Sequence, residues 1–375
     1  MSSRTIEKAG NEDGKSAMES TALPRTGKSH EGWKRTTRSL VAAVGVSSAW
    51  AAGDVAGAEE VWDKTFPRSE GVVHRKISFK NRYGIPLVGD LYQPKEGGGG
   101  KRGAIAISGP FGAVKEQAAG LYAQTLAERG WVTLAFDPSY TGESGGEPRH
   151  VASPDINTED FCAAVDALGL LEEVDRERIG ILGICGWGGM ALSAAAVDKR
   201  IKAVATSTMY DMSRVMAKGY DDQMTTEQRS EVLEKLSRQR WTDADHGEPE
   251  YGPVSLELKG GEPAFVVEYA GYYKDPERGY HPRAINSNGS WTMTNPLSFM
   301  NLPLMTYLRE ISPRPLLLVH GEKAHSRYFS ESAFEAAAEP KELVIIEGAN
   351  HVDLYDRLDK IPFERLDAFF SEHLK

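Results

Sequence analysis

The segments VVHRKISF and IPLVGDLY alternate apolar and polar side chains on either side of the turn-prone KNRYG, and so predict an antiparallel hairpin. Beyond it the apolar runs become continuous and exchange with helical spacing. RGAIAISG reads as a buried strand, EQAAGLYAQTLAERG as a helix stopped by glycine, and WVTLAF as the next strand. The exchange goes on through helix TEDFCAAVDALGLLEEV, strand IGILGI, helix GGMALSAAAV and strand IKAVATSTM. It resumes near the end with PLLLVHG, SESAFEAAA, ELVIIEG and the amphipathic PFERLDAFFSEHL. Hairpin and later strands together predict an α/β protein with an eight-stranded, mostly parallel sheet and helices on both faces.

Two regions break the pattern. Residues 212–312 open with the charged helix TTEQRSEVLEKLSRQRW and continue through Tyr-rich sequence punctuated by Gly and Pro, too long for an ordinary loop; they read as a cap inserted between core segments 59–211 and 313–375. Residues 1–58 form the other. Lys34, Arg35 and Arg38, the short apolar stretch Leu40 to Val46, and Ala56-Gly57-Ala58 before Glu59 have the order of a signal peptide, which implies a secreted or periplasmic protein; a polar tail on a cytoplasmic protein is the alternative. The apolar part is too short to span a bilayer. A formal net charge of −10 leaves no basic stripe for nucleic acid.

Two bends compete to carry a nucleophile. TGESGG matches GxSxG literally at Gly142, Ser144 and Gly146. A nucleophile elbow, however, needs a buried strand directly before the reactive side chain and a helix directly after it. Pro138 separates Ser144 from its strand, and GEPRHVASPD cannot start a helix at once. Cys185 meets both demands, with IGILGI entering, GGMALSAAAV leaving and Gly183 two residues before it. Cys162, on the apolar face of its helix with Phe161, Val165 and Leu168, reads as a small buried hydrophobe. Helix-dipole stabilisation of about 0.3–1 kcal/mol, up to about 2, brings a thiol pKa of about 8.5 only to around 7–8. Cys185 therefore needs a base, and the sulfur must be perched, accessible and within that base's reach.

The strand order and the position of the elbow, over residues 70–375, resemble the α/β-hydrolase superfamily, in particular its dienelactone-hydrolase-like branch in which cysteine replaces serine. One departure is Trp187, where that pattern has a small residue two places after the nucleophile. The resemblance implies that His351, in the loop after the last strand, is the base. His320 then ends its own strand as a structural residue, and His325 is open to either reading. The orienting acid belongs three residues after the glycine that ends PLLLVHG, where Ala324 stands. Glu322 on the same loop is the first candidate and Asp211 the second, with Asp353 read as a helix cap. The oxyanion of such a hydrolase is held by backbone N–H groups. Gly186 supplies one; after GP, where Pro110 has none to give, Phe111 supplies the other, with Gly112 as its alternative.

No GxGxxG fingerprint follows the first βα unit, and there is no GxxxxGK(S/T) phosphate loop or HExxH, so no cofactor or metal is expected. The reading is a cofactor-independent hydrolase of a small-molecule ester, lactone or thioester through a Cys-His-acid triad and an acyl-enzyme. Acyl transfer, peptidase activity, or ligand binding without catalysis on the same scaffold are the alternatives. Tyr269, Tyr272, Tyr273, Tyr280 and Trp291 in the cap serve either as pocket walls or as packing. The oligomeric state stays open.

Overall fold

Apolar runs buried on both faces give the computed structural model its central sheet. It describes residues 62–96, 99–252, 258–285 and 290–375, with the two-residue strand β1 (Gly53–Asp54); the expected leader otherwise lies outside the described residues. The hairpin forms as β2 (Val72–Lys80) and β3 (Pro86–Pro94), paired antiparallel through the turn at residues 81–85. There follow β4 (Arg102–Ser108), β5 (Val132–Phe136), β6 (Val174–Ile184), β7 (Ala203–Ser207), β8 (Leu316–Gly321) and β9 (Lys341–Ile346). The order across the sheet is β1-β2-β3-β5-β4-β6-β7-β8-β9, and every pair from β5 to β9 is parallel. This is the α/β-hydrolase fold.

Alternate side chains of each strand feed two cores. Ala104, Ala106, Leu134, Phe136 and Ile181 face helices α2 (Pro154–Gly169) and α3 (Gly186–Val197), with Phe161 and Met190 in the same cluster. Ile105, Ile107, Leu182 and Ile184 face α1 (Ala118–Ala127) and the C-terminal helix, which supplies Leu366, Phe369 and Phe370. Cys162 is in the first core, a free thiol 8% exposed, as its helical position predicts. Burial of this kind stabilises by about 25 cal/mol per Å² of apolar surface.

Between β7 and β8 the chain forms α4 (Met212–Lys218), α5 (Thr226–His246), α6 (Ala264–Tyr273) and α7 (Pro296–Asn301). The charged helix anticipated from Thr225 is α5, opened by a capping box between Thr225 and Gln228. Helix α6 arises in the Tyr-rich stretch, where no helix was expected. After β8 come α8 (Arg327–Ala336), the one-turn α9 (Asp353–Asp356) and the C-terminal α10 (Phe363–His373).

Candidate active site

Strand β6 hands over to α3 through Cys185 alone. Its backbone is at φ 56° and ψ −128°, a conformation that L-residues adopt at a cost and that functional turns retain. The turn is fixed from three sides: Cys185 N–H donates to Ser207 O at 3.0 Å, and Cys185 O accepts from Gly188 N and Tyr210 N, each at 2.8 Å. A Cβ on Gly183 would lie 2.3 Å from Trp187 O, so only glycine lets the helix fold back on the strand. Trp187 itself points inward, 1% exposed and beside Phe161 at 6.5 Å between ring centroids. The bulk that departs from the family pattern is thus stored in the core, away from the thiol.

The thiol rests in a cradle of donors. Backbone N–H groups of Phe111 and Gly186 and the Tyr355 hydroxyl lie beside the sulfur and favour its thiolate form. Phe111 and Gly186, far apart in sequence, are thus brought together at the sulfur. Phe111 also stacks on Trp291 from the segment preceding α7, centroids 4.4 Å apart.

What fixes the Phe111 loop is a buried charge cluster. Asp137, just past β5, accepts from the backbone N–H of Lys115 at 2.8 Å, and its other oxygen takes the Lys115 ammonium at 3.1 Å. Glu116 and Glu143 each approach the same ammonium to 2.5 Å. Glu116 also pairs with Arg283 at 2.6 Å. Burial works against the lysine's charge, but the surrounding carboxylates prevail and hold its pKa well above the ordinary value. Burial pushes Asp137 up to about 6 against the pull of Lys115.

His351 lies in the loop after β9, fully buried. Its Nε2 meets the Tyr355 hydroxyl at 2.9 Å. Its Nδ1 meets Ser326 Oγ at 2.5 Å and Thr208 Oγ1 at 3.0 Å. Ser326 Oγ in turn bonds His320 Nε2 at 2.9 Å, and His320 Nδ1 bonds Ser330 Oγ at 2.7 Å. Hydroxyls thus stand where the sequence predicted a carboxylate.

Glu322 is a correction: it is exposed, and its carboxylate accepts from the Gly348 backbone N–H at 2.9 Å, tying down the loop that carries His351 without touching the imidazole. Asp211 is another, because its carboxylate caps α4 by accepting from Arg214 N at 3.0 Å and Ser213 Oγ at 2.5 Å. Asp353 exchanges hydrogen bonds with Asn350 at the start of α9, as a local cap. Ser144, the literal pattern match, is buried; its hydroxyl donates to Asp137 O at 2.6 Å and accepts from Val88 N at 2.9 Å. His320 has the structural place anticipated for it.

Electrostatics also differ from expectation. Burial raises the Cys185 thiol, outweighing the stabilisation from Tyr355 and the Phe111 and Gly186 amides. Burial lowers His351 well below the usual imidazole value, with His325 and His320 adding to it. The resting pair is therefore neutral thiol and neutral imidazole. Nor is the sulfur accessible as required: Cys185 is 6% exposed and His351 0%. Tyr269 stands over the imidazole at 5.4 Å between centroids, and Tyr273 and Tyr355 close around the thiol. Tyr272 packs on Tyr355 at 5.0 Å, whereas Tyr280 is 45% exposed and outside this wall.

His325 stacks on Phe265 at 4.5 Å and sits 5.2 Å from the His351 ring, both of its nitrogens buried without a hydrogen-bond partner. Burial lowers its pKa to about 4. An unfolded histidine takes up its proton near pH 6.5 and the folded one only near 4, so this group's stabilisation is present above 6.5 and lost as pH falls toward 4. His325→Phe keeps the stack and removes the titration. The variant's unfolding free energy should decline less than the wild type's between pH 6.5 and 4, by up to about 1.4 kcal/mol per pH unit. Urea unfolding across that window measures this; identical declines would contradict it.

Among the described residues no group of three or more His, Cys, Asp or Glu is placed to hold a metal ion, and no helix is long and apolar enough to cross a membrane.

Comparison with known proteins agrees with the fold. Residues 69–230 match the family described as PET hydrolase-like, a span from the start of the hairpin through the elbow into α5. Residues 304–344 match the Zn-dependent metallo-hydrolase RNA specificity domain, over a segment that here runs from the residues before β8 into β9. The uncharacterized protein PA2218 of Pseudomonas aeruginosa is 70% identical over 313 residues, 84% of each chain. Its crystal structure superposes with a TM-score of 0.83, covering 84% of this chain and 98% of that one. The uncharacterized protein YcjY of Escherichia coli is 35% identical, over 76% of this chain and 94% of its own. The polyketide transferase grgF of a Penicillium species is 29% identical, over 83% of this chain and 98% of its own. The crystal structure of the alpha/beta hydrolase GrgF shares the fold at a TM-score of 0.68, covering 80% of this chain and 99% of that one. Matched over most of their lengths by PA2218 and YcjY, the present residues form a protein that belongs with them to the α/β-hydrolase superfamily.

Proposed function

We propose that this protein is a cofactor-independent acyl hydrolase that forms a thioester at Cys185 from a carboxylic ester, lactone or thioester. The observation that carries the reading is the cradle: a cysteine on a strained strand-to-helix turn, with two backbone N–H groups aimed at its sulfur. As the sulfur advances on a carbonyl carbon, the carbonyl oxygen takes over those N–H groups from Phe111 and Gly186, in a site too dry for water to compete. His351 receives the thiol proton and returns it to the leaving group. Ser326 and Thr208 orient the imidazole through Nδ1, leaving Nε2 to face the chemistry. Because the resting pair is neutral and covered, catalysis requires the wall formed by Tyr269 and Tyr273 of α6 to yield to substrate.

The buried site favours a second reading on the same intermediate, acyl transfer to an alcohol or amine. A pocket that excludes water slows hydrolysis of the thioester and leaves it to an acceptor that fills the pocket. The relative named as a polyketide transferase supports the same possibility. Both readings predict a stoichiometric burst of p-nitrophenolate from p-nitrophenyl acetate, followed by a slower steady rate that stopped-flow absorbance resolves. An added acceptor that raises only the steady rate marks transfer. Absence of a burst together with equal, slow iodoacetamide labelling of Cys162 and Cys185 points instead to a non-catalytic binding protein.

A further inference from the structure

The hydroxyl of Tyr355 lies between the two groups that must exchange a proton. We propose that Tyr355 is a catalytic residue that relays the proton from Cys185 to His351, an inference that rests on the acyl-enzyme reading above. Tyr355 is fully buried, its hydroxyl 2.9 Å from His351 Nε2 and on its other side close enough to the Cys185 sulfur to favour the thiolate. Nδ1 of His351 is already engaged by Ser326 and Thr208, so Nε2 is the nitrogen free to accept, and the atom it meets is the tyrosine oxygen.

A phenol has one proton to donate and two lone pairs to receive. The relay assigns the resting Tyr355 hydroxyl as donor to Nε2 and acceptor from the thiol; once the thiolate forms, the hydroxyl donates to the sulfur, the arrangement that favours ionised Cys185. On attack the thiol proton moves to the Tyr355 oxygen while the Tyr355 proton moves to Nε2. Thiolate and imidazolium result, and the tyrosine is regenerated neutral. The same three groups keep their contacts with every hydrogen bond reversed. The sulfur's electron pair forms the C–S bond to the acyl carbon. When the bond from that carbon to the leaving group breaks, the proton returns from Nε2 and the leaving group departs neutral.

The surroundings hold the relay in place. Tyr122 donates to Leu354 O at 2.7 Å, anchoring the residue before it. Arg278, from the cap, grips both Asp356 oxygens at 2.8 Å, anchoring the residue after it. Tyr272 packs against its ring.

The test combines Tyr355→Phe, which removes one oxygen and keeps the ring, with His351→Gln. Each should slow iodoacetamide alkylation of Cys185 and the ester burst by about a hundredfold, the scale of general acid–base assistance, and the double variant should be no slower than either single. An unimpaired Tyr355→Phe, a faster one, or one in which His351→Gln still costs its full factor would overturn the relay. Wild-type protein supplies a check that needs no variant to fold: in mixtures of light and heavy water the burst rate should bow with deuterium fraction, because two protons move, and a straight line overturns the proposal. If Cys185→Ala still gives the burst, it is the acyl-enzyme reading that fails, whatever Tyr355 does.

Discussion

Cys185→Ala should lower turnover of an activated ester by at least about a thousandfold, the loss expected when a nucleophile is removed and only binding and the oxyanion donors remain. Ser144→Ala should stay within a few-fold of wild type while losing about 1–2 kcal/mol of stability, since it leaves the Val88 N–H and Asp137 carbonyl without their shared hydroxyl. Steady-state kinetics and urea unfolding on the pair separate the two roles. The contrast is large because the side chains stand in opposite relations to the sheet. Cys185 occupies the strained turn between β6 and α3, with backbone donors directed at it. Ser144 is consumed in holding its own loop to β3 and β5. Equal losses in the two variants would mean that the elbow has been misassigned.

Lys115→Met should cost about 3–5 kcal/mol in unfolding free energy, the scale for removing one partner from a buried ion pair. The ammonium is fully buried and faces Glu116, Asp137 and Glu143; its loss leaves the buried Asp137 without a cation, while Glu116 keeps Arg283 and Glu143 keeps Lys76. The Asp137 carboxyl, which burial already raises to about 6 against the pull of Lys115, would then rise further above its unfolded value. That contribution to stability is complete below about pH 4 and is lost as pH climbs through the raised value, so the variant should recover part of its deficit in acid. Activity should fall as well, because the Asp137 carboxylate that takes the Lys115 side chain also holds its backbone N–H and thereby sets where the Phe111 amide points. Unfolding at pH 7 and pH 5, alongside the ester assay, measures both effects. A variant of wild-type stability at pH 7 would show that the cluster is not the anchor described here.

The strands and the elbow were legible because they are written locally. Continuous apolar runs such as RGAIAIS and VTLAF have no reading other than burial on both faces, and a cysteine between ILGI and a small-residue helix has few other places to sit. His351 and Phe111 followed from their positions after particular strands. The orienting group was not legible, since hydroxyls carry no distinctive spacing: Ser326 is two residues beyond the position at which an acid was sought, and Thr208 belongs to another strand's end. Glu322 looked apt by proximity in sequence, yet it spends its carboxylate on a backbone amide at the surface. Tyr355 follows His351 by four residues, a spacing that on one helical turn brings side chains together, and that was the signal available. The lysine in GAVKEQ carried no distinctive signal, because two of its three carboxylate partners, Asp137 and Glu143, become neighbours only once β5 and its following loop pack beside it. The thiol's raised pKa likewise depends on burial by α6, a helix hidden in Tyr-rich sequence.

Peptide mass mapping after brief exposure to p-nitrophenyl acetate and rapid acid quench tests the central claim most directly. One acetyl group per chain on the peptide containing Cys185, absent from Cys185→Ala and much slower to appear in His351→Gln, is the predicted result. Ester turnover with Cys185 unmodified at every quench time, or acetyl groups on another side chain that track turnover, would contradict it.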